Sequence, residues 1–178
     1  MTHGEAPFEF FYRLGELSRA GDEVNIELGD AERRRLAQWA ELDAVDKFAA
    51  VVSLTRLSAN RFGFEARLEA DIVQPCVVTL EPVRSHIERT IKRDLHLAQQ
   101  SPRLAIHTEA LTPAAADDEV PEEIESLEFD LAGPLLEEFS LAIDPYPRAP
   151  GVNFAQPGEQ EPPPESPFAQ LKALKERR

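Results

Sequence analysis

One cysteine, one tryptophan and two tyrosines are all that this chain of 178 residues holds of those types. With a single thiol, Cys76, no disulfide can close within the chain, which fits a reducing compartment. No apolar run approaches the roughly 20 residues of a membrane-spanning helix. The opening stretch MTHGEAPFEFFYRLGEL lacks the basic start and apolar core of a signal peptide. The expectation is a cytoplasmic protein that does not contact the membrane. Glycine-rich phosphate loops, nucleophile elbows and zinc-protease helices are missing too. No catalytic residue, cofactor or metal is therefore assigned. His86 and His96 have even spacing, which on a strand puts both on a solvated polar face, too far apart to share an ion.

Cations are also scarce: 19 Lys and Arg stand against 33 Asp and Glu, for a net charge of −14. The imbalance is local. Residues 30–107 hold eleven acids and twelve bases, whereas residues 108–166 hold fifteen acids and one base. A phosphate backbone is repelled by such a segment. A basic protein partner suits it better.

What is present is a clear strand alternation. Phe62, Phe64, Ala66, Leu68, Ala70 and Ile72 alternate with Gly63, Glu65, Arg67, Glu69 and Asp71, the pattern of a half-buried antiparallel strand. Before it, Phe48, Ala50, Val52 and Leu54 share one face of another strand, joined through a turn at Ser58–Arg61. Val83–Leu97 fits a helix by its four-residue apolar recurrence, but its even positions are polar and its β-branched residues favour a strand. Short strands are expected over Phe8–Tyr12, Val24–Leu28 and Ile124–Asp130. A helix should start with Asp30 as N-cap and bury Leu36, Trp39 and Ala40. A second should bury Leu135, Leu136, Phe139 and Ile143, and Pro145 and Pro147 should stop it. Residues 98–123 read as a loop. The fold class is α+β: an antiparallel sheet, flat or curled toward a barrel, with two flanking helices and a disordered C-terminal region. Residues 1–148 form the expected domain, 149–166 a Pro- and Glu-rich linker, and 167–178 a short amphipathic helix or tail carrying Phe168, Leu171 and Leu174.

Cys76 lies in QPCVVTLEPV, between Pro75 and Pro82. No neighbour in sequence offers a base or a cation to activate it, so it reads as a small buried hydrophobe. This stretch resembles the central signature of the YceD family, Cys-x-x-Cys-Leu followed by an acidic or polar residue and Pro. Cys76 matches the first cysteine, Thr79 replaces the second, and Leu80, Glu81 and Pro82 fit the remainder. A later block, FDLAGPLLEEFSLAIDPYPRAPG, is similar to the family's second motif through Asp130, Leu131, Glu137, Glu138, Leu141, Pro145 and Pro147. The resemblance spans residues 45–150 and implies a factor for the accumulation of large-subunit ribosomal RNA. With Thr79 in place of the second cysteine, a Cys-x-x-Cys zinc or redox site is ruled out here.

The resemblance implies a non-enzymatic ribosome-biogenesis factor. Two binding routes follow. In one, the acidic segment, with Glu119, Glu122 and Glu123, holds a basic ribosomal protein. In the other, Arg84, Arg89, Lys92 and Arg93 touch ribosomal RNA or a pre-ribosomal particle. The alternatives are a small enzyme using Cys76 or a carboxylate cluster, and a purely structural interaction module.

Overall fold

The computed structural model describes residues 6–98 and 121–152. Chain order gives β1 (Phe11–Arg13), β2 (Asp22–Glu27), α1 (Asp30–Trp39), β3 (Ala44–Arg56), β4 (Arg61–Pro75), β5 (Pro82–Leu97), β6 (Glu122–Ile124), β7 (Glu128–Asp130) and α2 (Ala132–Ala142). Five strands make one sheet in the order β2-β3-β4-β5-β6, and β1 pairs with β7 in a separate two-stranded ribbon. The architecture is α+β with mainly antiparallel pairing. Among the described residues the larger sheet is open, with β2 and β6 as its outer strands, so it does not close into a barrel.

Alternation makes the sheet two-faced. Phe48, Ala50, Val52 and Leu54 of β3 and the even positions Phe62–Ile72 of β4 are all buried, as their spacing predicted. Ile87, Ile91 and Leu95 of β5 join them, so the polar-even pattern of residues 83–97 is that of a strand. One hydrophobic core links these residues to Phe8, Leu14, Leu36, Leu131, Leu135 and Phe139. Phe48 sits at its centre, edge-on to Phe8 and to Phe139 at 5.5 Å between ring centroids. On the opposite face Gly63 leaves no room for a side chain, because a Cβ there would lie 2.6 Å from Thr55 Oγ1.

Several local expectations are corrected. Gly29, not Asp30, is the N-cap of α1; Glu32 reaches back to accept from the Gly29 N–H at 2.8 Å. The buried stripe of α1 is Leu36 and Ala37 with the partly buried Ala40, while Trp39 stays 36% exposed. The aromatic N-terminal run yields only β1, because its partner β7 comes from residues 128–130. The stretch 124–130 splits at Glu125–Leu127, sending β6 and β7 to different sheets. Glu122 and Glu123 belong to β6, parallel to the end of β5, rather than to a loop.

Candidate functional site

β4 and β5 pair along their whole length, up to Pro75 opposite Pro82. Beyond the prolines Cys76 N–H donates to the Glu81 carbonyl at 2.8 Å, which closes a four-residue loop over residues 77–80. The Leu80 N–H returns to the Cys76 carbonyl at 2.9 Å. Leu80 then sits at φ +61°, the left-handed region that glycine usually supplies.

The proline-rich segment after α2 is fastened to this loop. Val77 N–H donates to the Pro147 carbonyl at 2.9 Å. Ala149 N–H donates to Cys76 Sγ at 3.4 Å, and Gln74 Nε2 donates to the Asp144 carbonyl at 3.0 Å. The two motif blocks recognised in the sequence thus meet, and Cys76 is wholly buried at their junction. Ala149, at the start of the expected linker, belongs to this clasp; residues 153–166, like the helix or tail 167–178 with Phe168, Leu171 and Leu174, lie outside the described residues.

Burial of Cys76 agrees with its sequence reading, but its surroundings are polar. The Thr79 hydroxyl, the Ala149 N–H and the Thr79 and Val78 N–H groups stabilise the thiolate, against the opposing effect of burial, and the thiol is lowered to about 6. Thr79 therefore stands where the family pattern has its second sulfur, and its hydroxyl is the leading cause of the lowered Cys76 pKa. The Ala149 share of that influence was invisible in the sequence, since Ala149 lies 73 positions away, whereas Thr79 and Val78 are near neighbours.

The loop is capped by apolar side chains turned to solvent. Leu80 is 77% exposed, Val77 47% and Val78 36%, and Tyr146 on the clasped segment is 70% exposed. Leu80 was legible as a motif residue, whereas nothing in the pattern marked Tyr146. Glu81 and Pro82 continue into β5, both exposed. Asp130 and Leu131 serve the fold instead. Asp130 Oδ1 accepts from Phe10 N–H at 2.8 Å and Ala132 N–H at 3.0 Å, so it satisfies the first amide of α2 and ties in the N-terminal segment. Leu131 is fully buried.

The four bases of β5 do not form one patch. Arg84 and Lys92 project from the open face of the sheet, and Arg89 and Arg93 from the face that carries α2. Three already hold carboxylates: Arg84 with Asp46 at 2.5 Å, Lys92 with Glu65 at 3.1 Å, and Arg93 with Glu122 at 3.2 Å and Glu137 at 2.5 Å. Partial burial weakens the Arg93 cation, but Glu137 and Glu122 prevail and its pKa is raised. Glu123 is exposed, and Glu119 lies outside the described residues. No group of three metal-ligating side chains occurs among the described residues, and none of their helices is long and apolar enough to cross a membrane.

Fold and loop together define a class: a small α+β protein that presents apolar side chains on a hairpin loop fastened to its own 144–149 segment. The chain belongs to the family described as large ribosomal RNA subunit accumulation protein YceD, whose model matches residues 64–175. The match takes in the Cys76 loop and the Asp130–Pro147 block, the two regions that carry the resemblance. No curated protein and no solved structure matches the chain.

Proposed function

We propose that this protein is a non-enzymatic ribosome-biogenesis factor that supports large-subunit ribosomal RNA accumulation by holding a basic ribosomal protein. Membership of the family gives the process. The observation that favours a protein partner over RNA is the pairing of the β5 cations. Arg84, Lys92 and Arg93 are engaged by Asp46, Glu65, Glu122 and Glu137. A phosphate backbone would have to displace those carboxylates before it met any of the three cations. The exposed Val77, Val78, Leu80 and Tyr146 supply the apolar and aromatic centre typical of a protein interface. Acids of the 108–130 region steer a basic partner toward it. Buried Cys76 serves as the anchor of the clasp, not as a nucleophile.

Affinity capture from lysate, with and without nuclease, tests this reading. Recovery of basic large-subunit proteins that survives nuclease supports it. Recovery that disappears with the RNA refutes the protein route in favour of direct RNA contact.

A further inference from the structure

The longest strand of the sheet has an open side. β6 pairs only with Leu95, His96 and Leu97 of β5. From Pro82 to Asp94 no described strand lies beside β5 on that side. The phase of the ladder is fixed, because Leu97 N–H donates to the Asn60 carbonyl on the β4 side and Ala98 N–H to Ile124 on the β6 side. Odd-numbered residues therefore bond to β4. His86, Glu88, Thr90 and Lys92 aim their N–H and C=O groups outward, and all four are exposed. Of these eight groups, the Glu88 carbonyl alone accepts a described hydrogen bond, from Arg89 at 3.0 Å. A long exposed edge of this kind is a template for strand addition.

Charge decides what fits it. On the open face, Glu88 lies directly opposite Glu69 of β4, and Glu69 is held by Lys47 at 2.6 Å. Glu88 itself makes no ion pair among the described residues. Lys92, two rungs along, is a cation on the same edge. We propose that the β5 edge pairs antiparallel with β5 of a second copy of this chain, with Thr90 on the twofold axis. In that register Glu88 faces Lys92 of the second copy, Lys92 faces its Glu88, and His86 faces its Asp94. Placing the axis at Glu88 or at Lys92 instead sets like charges together, and placing it between Thr90 and Lys92 sets Glu88 against Asp94. Placing it between Glu88 and Thr90 leaves Glu88 facing Thr90. Among the axes at or between Glu88 and Lys92, only the Thr90 axis gives Glu88 a lysine or arginine. The pairing also continues existing rows, since Lys92 already bonds Glu65, His86 bonds Asp71 at 2.7 Å and Asp94 bonds Arg61 at 2.7 Å. An isologous contact of this kind closes on itself and so gives a dimer rather than a fibre.

Sedimentation of the full chain over a range of concentrations tests the proposal, with amide exchange read at His86, Glu88, Thr90 and Lys92. A dimer is expected, with protection of those four amides that rises with concentration. Thr90→Pro removes an N–H that β4 does not use, and proline is tolerated at such an edge. It should raise the dimer dissociation constant at least about tenfold with β4–β5 intact. Glu88→Lys and Lys92→Glu provide a second route that leaves the backbone unchanged. Each alone sets two like charges across the axis and should dissociate the dimer, whereas an equimolar mixture of the two should associate again. A monomer at every concentration overturns the proposal, whether its edge amides are open or are covered by the chain's own residues 99–120. A dimer that ignores the charge variants and their mixture overturns the register and with it the surface.

Discussion

Replacing Leu80 by glycine should separate stability from binding. Leu80 is held at φ +61° with 77% of its surface in water, so its side chain contributes little to the core. A non-glycine residue in the left-handed region costs roughly 1–2 kcal/mol. Glycine relieves that cost but adds freedom to the unfolded chain worth roughly 0.5–1 kcal/mol. The balance lies between neutral and a gain of about 1.5 kcal/mol, or a melting temperature higher by at most about 3–6 °C for a chain of this size. Binding should move the other way. Truncating a central apolar contact typically costs about 2 kcal/mol or more, roughly thirtyfold in affinity. Urea melts of Leu80→Gly beside wild type, with quantitative capture of large-subunit proteins, give both numbers. A stability loss above about 1 kcal/mol would refute the strain argument. Unchanged capture by a variant of normal stability would remove the hairpin tip from the interface.

Cys76→Ser should retain partner capture, checked in the same assay. The wild type should also gain stability as pH rises from about 6 toward the ordinary thiol range near 8.5, because the folded thiol ionises at about 6 and the unfolded one higher. That gain is lost as pH falls through about 6, and denaturant melts of Cys76→Ser should show no such rise. Phe139→Ala, at the fully buried ring against Phe48, should cost about 3–5 kcal/mol in urea unfolding. Among the acids, Glu119→Gln with Glu123→Gln should slow association and flatten its salt dependence in stopped-flow measurements, as steering charges do. Glu122→Gln should instead loosen β6, because Glu122 is committed to Arg93.

The parts of the fold legible in sequence are those set by local period. Phe62 to Ile72 alternate because one face of β4 is buried, and the alternation survives without knowledge of any partner strand. Leu135, Leu136 and Phe139 mark α2 in the same way. What was not legible depends on contacts far apart in the chain. β1 is short because its partner is β7, more than a hundred residues later, and residues 124–130 divide because two sheets draw on them. The N-cap of α1 falls at Gly29 because Glu32 satisfies its N–H, whereas residue type alone favours Asp30. At the candidate site the sequence exposed Cys76, Leu80 and Pro82 but not Gln74, Tyr146 or Ala149. These matter only once the 144–149 segment lies against the hairpin loop.

The ratio of large- to small-subunit ribosomal RNA in cells depleted of this protein tests the central claim most directly. The ratio should fall on depletion, and wild type and Cys76→Ser should restore it equally while Leu80→Gly does not. An unchanged ratio, or a folded Cys76→Ser protein that fails to restore it, would contradict a binding factor for the large subunit.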